Sequence, residues 1–172
     1  MALINEDFKS IELDSDTANA CSPDMSDNSD FIGIAINAPT LVEFNPLKPA
    51  EDGSFAVIPI CGFYQIGLLE LRQDSVIQLF ALNTETEQVY RGELIEEDFG
   101  TDEPFPFDVP ELEPEEIEGQ ILSAYFNPNF VRFVDLPAEE AHYKILVQIG
   151  RFKSNIVEVE LKRQQQQGVN HL

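Results

Sequence analysis

The most distinctive stretch of this 172-residue chain is an acidic segment rich in Phe and Pro. Residues 93–118 contain twelve Asp and Glu residues and no Lys or Arg. Within residues 96–118, Phe side chains could anchor in a partner's pockets, Pro would limit the entropy lost on binding, and carboxylates would steer a basic partner. The residues that we expect to contact a protein partner are Phe99, Phe105, Phe107, Glu97, Asp98, Asp102, Glu103 and Asp108.

A second interpretation of the same segment involves no binding. A long connection between strands can lie as a solvated cover across a sheet edge, with its Phe side chains packed on the body of the domain. The sequence leaves this alternative open beside the first.

Clusters of carboxylates, one of them within this segment, suggest calcium, which prefers oxygen ligands. The candidates are Asp14-Ser15-Asp16, residues 24–30, and Asp98 with Asp102 and Glu103. None of them reproduces the EF-hand loop, in which Asp, Asn and Gly precede a Glu at fixed positions. Calcium binding is therefore kept as an alternative hypothesis, and we predict no cofactor and no metal site.

The residues that an enzyme would use as nucleophile or base form no recognisable motif. The chain has no Gly-x-Ser-x-Gly sequence, no glycine-rich phosphate loop and no metalloprotease motif. His142 lies on a predicted strand and faces away from the core, and His171 lies in a polar tail. We therefore predict that the protein is not an enzyme.

The two cysteines, Cys21 and Cys61, do not combine with the histidines into a zinc-binding spacing. Cys61 lies in an apolar run, which is typical of an inert core residue, whereas Cys21 lies in a polar segment. The first residues lack the basic and apolar regions of a secretory signal, so the sequence predicts a cytoplasmic protein, with non-classical export left open. A Cys21–Cys61 disulfide is an alternative that a cytoplasmic location disfavours.

The negative charge is concentrated in two segments. Of the net charge of −22, residues 1–30 contribute −7 and residues 93–118 contribute −12, which leaves −3 for the remainder. Nucleic acids and anionic membranes attract clustered Lys and Arg, so we expect neither as a partner. A basic protein partner is compatible with this charge. The one basic cluster predicted comprises Lys144, Arg151, Lys153, Lys162 and Arg163.

The elements that must position these residues are predicted to be short β-strands. Apolar and polar residues alternate over residues 143–149 and 157–161, a pattern that predicts an antiparallel sheet with one buried face. Residues 76, 78, 80 and 82 share one face of another predicted strand, and residues 83–87 are predicted to connect it to the next in a hairpin. No long helical pattern is evident.

The chain divides into three parts on this basis. Residues 1–30 are predicted to form a flexible acidic arm, of which residues 8–13 could dock as a short strand. Residues 31–163 are predicted to form an all-β sandwich domain with an acidic insertion at 96–118, and residues 164–172 a polar tail.

The last 30 or so residues of this domain resemble fibronectin type III and immunoglobulin-like domains. In those families a Leu-Pro corner precedes a Tyr whose hydroxyl bonds back to the backbone near the corner. The resemblance implies an antiparallel immunoglobulin-like β-sandwich with Tyr143 as the corner tyrosine. Ile145 stands where antibody domains have their second Cys, and the chain has no Trp. The matching residues are Leu136-Pro137, Tyr143, Gly150 and Ser154-Asn155.

The sequence therefore favours a non-enzymatic module that binds another protein through its acidic segment. Three alternatives stay open: a structural subunit of a larger assembly, an acidic inhibitor or immunity-type protein of a basic partner, and a calcium-binding domain. The sequence makes no prediction of oligomeric state.

Overall fold

The computed structural model describes residues 8, 13, 18–23, 31–50, 53–67, 76–94 and 121–164. Over these residues the chain is mostly β-strand, which confirms the all-β prediction. Within the same ranges, no helix has the length and apolar composition needed to cross a membrane.

The described strands form two sheets. The elements are β1 (Gly33–Asn37), β2 (Leu41–Phe44), β3 (Cys61–Gly67), β4 (Ile77–Asn83), β5 (Val89–Leu94), β6 (Ile121–Phe126), α1 (Phe130–Phe133), β7 (Ala141–Ile149), β8 (Phe152–Lys153) and β9 (Val157–Arg163). The smaller sheet has the order β1-β3-β6, and the larger has the order β2-β9-β7-β4-β5, with β8 pairing with β7 beside β9. All of these pairings are antiparallel except that of β2 with β9, which is parallel.

Both sheets contribute to one apolar core. Tyr143, Ile145 and Val147 of β7 are each 0% exposed, and they belong to the same buried cluster as Ile36 and Ile66 of the smaller sheet. Full burial of each aliphatic side chain contributes about 2 kcal/mol. The inward face predicted from the alternation in β7 is therefore confirmed.

Two asparagines satisfy backbone groups where the sheets meet. Asn155, in the turn before β9, accepts from the Ile36 N–H at 2.8 Å and donates to the Ile36 carbonyl at 2.9 Å. Its amide thus pairs with β1 as a neighbouring strand would. Asn129 caps α1 by accepting from the Val131 N–H and also accepts from the Ile58 N–H at 3.0 Å.

Cys21 and Cys61 form a disulfide with their Cα atoms 5.8 Å apart, which corrects the expectation that Cys61 is an inert core residue and that this bond is disfavoured. Both are 0% exposed and cluster with Phe8, apart from the main core. Cys61 starts β3 on the face opposite Ile66, so it faces the N-terminal segment instead of the other sheet. At its described positions, the predicted arm is therefore attached to the domain.

Replacing Asn155 with Ala is expected to lower the free energy of unfolding by about 1–3 kcal/mol, because both backbone groups of Ile36 lose their partner in a partly buried setting. Urea denaturation would measure the loss. Asn45→Ala is the matched control, since the Asn45 side chain accepts from Leu47 in an exposed turn. Equal midpoints for the two variants would contradict a role for Asn155 in joining the sheets.

Candidate protein-binding surface

The eight predicted contact residues, Phe99, Phe105, Phe107, Glu97, Asp98, Asp102, Glu103 and Asp108, lie outside the described residues. Their role stays a prediction. The carboxylates proposed for calcium also lie outside those ranges. Among the described residues, no group of three or more His, Cys, Asp or Glu side chains is placed to hold a metal ion.

Both strands that flank the acidic segment are terminal strands of their sheets. β5 ends at Leu94 as the last strand of the larger sheet, and β6 begins at Ile121 as the last strand of the smaller sheet. Within the described part of the chain, each pairs with one neighbour, β4 and β3 respectively. The segment therefore departs from one sheet edge and returns at another.

Strand β5 is supported from the inside of the fold. Gly92 pairs with Leu79, and a Cβ built on Gly92 would overlap the carbonyl oxygen of Phe133 at the end of α1. Only glycine permits this close approach of helix and strand. Since Leu94 is buried too, the alternate residues of β5 are turned outward on a well-anchored strand.

An apolar patch crosses the outer face of the larger sheet. We call it the outer stripe and define it as Val89, Leu82, Phe80 and Leu146. Leu82 pairs with Val89, and Phe80 pairs with Leu146 on the opposite neighbour. Val89 is 52% exposed, and the other three are partly exposed. Antiparallel sheets with one solvated face normally place polar residues there, so this stripe is a candidate contact surface.

The residue pattern of β4 already indicated the outer stripe. The prediction that residues 76, 78, 80 and 82 share a face is consistent with the structure, because the intervening Leu79 and Ala81 are fully buried in the core. Strand β4 is thus apolar on both faces, which is the pattern of a strand covered on both sides. In β7, Leu146 is the member of the stripe, and its outward neighbours along the strand are the polar residues Lys144 and Gln148.

Charged residues surround the outer stripe in mixed sign. The Arg91 guanidinium lies over the Phe80 ring, 6.0 Å from its centroid. Lys144 pairs in the sheet with Leu82, and its Nζ lies 4.0 Å from Glu158 Oε1. Both of these charged side chains are exposed, so their ion pair contributes little to stability.

Four members of the predicted basic cluster, Lys144, Arg151, Lys162 and Arg163, each have a carboxylate or an aromatic ring as a neighbour. Lys162 Nζ lies 3.5 Å from Glu160 Oε1, and the guanidinium of Arg163 lies over the Phe44 ring. Arg151 lies over the Phe152 ring at 5.0 Å. His142 pairs with Glu160 on the outer face of the sheet, as expected for a residue pointing away from the core.

The Tyr143 corner differs from its expected form. Leu136 is buried and the Glu139 N–H donates to the Pro137 carbonyl at 2.8 Å, so a turn precedes β7. The Tyr143 hydroxyl is buried, however, and has no hydrogen-bond partner within the described residues. The bond back to the corner that the resemblance implied is therefore not formed there. The Tyr143 ring instead packs edge-on against Tyr90, with centroids 6.1 Å apart.

Burial raises the pKa of Tyr143 to about 12, with smaller contributions from Tyr90 and Glu139. Its charged form is disfavoured because the phenolate would lose water without gaining a donor.

No protein-family model, curated protein or solved structure matches this chain. Its function must therefore be inferred from its own residues and their arrangement.

Replacing Tyr143 with Phe is expected to leave the free energy of unfolding unchanged or to raise it by about 1 kcal/mol, because a buried hydroxyl without a partner is removed. Urea denaturation would measure the change, with Tyr125→Phe on the smaller sheet as control. A loss of about 1–3 kcal/mol would instead show that the hydroxyl is hydrogen-bonded, as in a tyrosine corner.

The Tyr143 hydroxyl also makes the free energy of unfolding depend on pH in the alkaline range. Because the native pKa of Tyr143 is about 12 and the unfolded value is 10.0, the stabilisation is complete below pH 10 and is lost as pH rises towards 12. The difference corresponds to about 3 kcal/mol. Unfolding midpoints measured between pH 9 and 12 should fall less steeply for Tyr143→Phe than for the native chain; parallel curves would contradict this assignment.

Proposed function

We propose that this protein is a non-enzymatic module that binds another protein along the outer stripe and the acidic segment. The main observation in favour of this proposal is that the outer stripe and the acidic segment meet at strand β5. Val89 and Arg91 project from the outer side of this strand, and the strand ends at Leu94, where the acidic segment begins.

The composition of the stripe supports a binding role. Protein interfaces combine an apolar centre with aromatic and Arg residues and a polar rim. Here Phe80 and Leu146 form the centre, Arg91 stacks on the aromatic ring, and Lys144 and Glu158 lie beside them. In this proposal Phe99, Phe105 and Phe107 extend the apolar contact, and Glu97, Asp98, Asp102, Glu103 and Asp108 steer the partner.

The strand order supports an immunoglobulin-like sandwich as the scaffold. In that family one sheet contains strands A, B and E, and the other contains G, F, C and C′. The order β1-β3-β6 agrees with the first, and the order β9-β7-β4-β5 agrees with the second. The acidic segment then falls between C′ and E, where the family has strand D. The fold by itself implies no particular partner.

The disulfide bears on where the protein acts. Disulfides persist in oxidising compartments and are rare in the cytoplasm. The Cys21–Cys61 bond therefore favours an oxidising compartment over the cytoplasmic location expected from the sequence.

A second candidate is a structural subunit that pairs strands with its neighbours. The observation in its favour is that β5 and β6 are both terminal strands, each with one described partner. Terminal strands present backbone groups to which another chain can add. The inhibitor and calcium-binding hypotheses gain no support from the described residues and stay predictions.

The outer stripe is tested by changing Val89 to Lys, which places a charge at its exposed end. The control is Leu47→Lys, because Leu47 is 76% exposed and lies after β2, away from the stripe. Each variant would be used to capture proteins from the source lysate, and the affinity of any protein retained by the native chain would then be measured. We expect Val89→Lys to weaken binding about tenfold or more and Leu47→Lys to have no effect.

The acidic segment is tested separately by replacing Phe99, Phe105 and Phe107 with Ala. Loss of the same partner would support the segment as an anchor, and elution in rising salt would separate the two candidates. Release at modest salt is expected for a charge-steered partner, whereas strand pairing would survive high salt. Undiminished binding by both Val89→Lys and the triple variant would refute the proposed surface.

A further inference from the structure

Strand β5 carries a charge pattern that the other terminal strands lack. Arg91 and Glu93 are exposed and lie on the same face of the strand, with Gly92 between them. Strands β1 and β6 have no charged residue, and β2 has only Glu43. Opposite charges on neighbouring strands attract, so the two signs on β5 can select a particular partner strand as well as discourage random pairing.

The hydrogen bonds between β4 and β5 show which backbone groups lie on the far edge of β5, the edge that faces away from β4. The Asn83 N–H donates to the Gln88 carbonyl at 2.9 Å, so these two residues form a hydrogen-bonded pair of the ladder. Hydrogen-bonded and non-hydrogen-bonded residues alternate along an antiparallel pair. The backbone groups of Val89, Arg91 and Glu93 therefore point to the far edge, where no other described strand pairs with β5.

We propose that a second copy of this chain adds to the far edge of β5 by antiparallel strand pairing, with a two-fold axis at Gly92. In this register, each residue lies opposite the residue of the second copy that is equally far from Gly92. Arg91 is then opposite Glu93 on both sides of the axis, so the dimer contains two pairs of opposite charge. Both residues direct backbone groups to the far edge, so each pair also forms two N–H to carbonyl hydrogen bonds.

The inner face of the paired strands is compatible with the same register. Tyr90, which packs against the core, lies opposite the buried Leu94 of the second copy. An aromatic ring opposite an aliphatic side chain is a favourable cross-strand pair. Gly92 lies opposite itself at the axis and places no side chain between the copies. Both faces of β5 are therefore complementary to a second β5.

Other two-fold registers that pair described residues of β5 match less well. An axis at Arg91 or at Glu93 places that charge opposite itself, which is repulsive. An axis at Tyr90 places Arg91 opposite Val89. An axis at Val89 places Arg91 opposite Glu87, but Glu87 has a φ of 62° and lies in the turn before the strand begins. The proposed axis is therefore the one at which both charges of the strand are paired.

The net charge of −22 opposes self-association, but its distribution limits this cost. Outside residues 1–30 and 93–118 the chain carries only −3. In the proposed dimer, the two copies of Leu94, at which the strands end, lie about 14 Å apart along the strands, at about 3.4 Å per residue. This distance exceeds the Debye length of about 8 Å at physiological ionic strength, so repulsion between the two acidic segments is screened.

This inference rests on the strand-pairing candidate, which it deepens by naming the partner, and it does not depend on the outer stripe. The test uses the purified full chain alone, so its result is separate from the capture of other proteins. Sedimentation equilibrium would measure the association of the native chain, Arg91→Glu, Glu93→Arg and the double variant Arg91→Glu/Glu93→Arg. The control is Lys48→Glu, which changes the net charge as Arg91→Glu does but lies in an exposed loop after β2.

We expect the native chain and the control to form dimers, and each single variant to dimerise about tenfold or more weakly, because two attractive pairs become repulsive. The double variant should recover the native dimer, since its pairs are restored with exchanged signs. An equimolar mixture of Arg91→Glu and Glu93→Arg should form a heterodimer although neither variant associates alone, because Glu then lies opposite Arg at both positions. This rescue cannot come from variants that fail to fold.

A native chain that remains monomeric at about 1 mM would overturn the proposal. Pairing with a different protein would still be tested by the salt-resistant capture, so the two failures are distinguishable. A native dimer that both single variants retain would show that association does not use this edge. Absence of the heterodimer, with both variants keeping the native circular dichroism spectrum, would overturn the register about Gly92.

Discussion

The inward row of β7 is the contact on which both sheets depend. Tyr143, Ile145 and Val147 are fully buried at the centre of the core, and β7 itself is paired on both sides, with β4 and with β9. Because side chains alternate along a strand, burying this row turns the intervening residues of β7 outward. The register with β4 then places Leu146 beside Phe80 on the exterior. The outer stripe is thus a geometric consequence of the core and not an independent feature.

The terminal strands of the two sheets differ in what lies beside their outer edges. β1 is a terminal strand, but the Asn155 amide satisfies the backbone of Ile36 in place of another strand. The other terminal strand of the smaller sheet, β6, and the terminal strand β5 of the larger sheet both lead to the acidic segment. Terminal strands attract further strands unless they are covered or charged. A highly acidic connection between two such edges is compatible with selective recognition of a partner and with protection against random association.

Local sequence patterns predicted the elements well and their partners poorly. The alternation of residues 143–149 predicted the buried face of β7, and the hairpin at residues 83–87 is present, with Asn83 Oδ1 accepting from the N–H groups of Glu85 and Thr86. These features are encoded within a few neighbouring residues. The Asn155–Ile36 pairing spans 119 residues and the Cys21–Cys61 bond spans 40, and periodicity carries no information on such contacts. Tyr143 was assigned correctly to the start of a strand. Whether its hydroxyl is hydrogen-bonded, however, depends on three-dimensional surroundings that no local motif specifies.

The disulfide attaches an acidic N-terminal segment to a fold of the same charge sign. Residues 1–30 contribute −7 to the net charge of −22, so electrostatic repulsion opposes their attachment. A covalent bond offsets this cost by restricting the unfolded chain, and it needs only one well-placed residue on each side. Cys61 provides that residue at the start of β3, on the face turned away from the main core. The described residues of this segment are therefore held by the disulfide, by the Asn37 hydrogen bond to the Cys21 carbonyl and by the packing of Phe8, outside the main core to which the apolar row of β7 belongs.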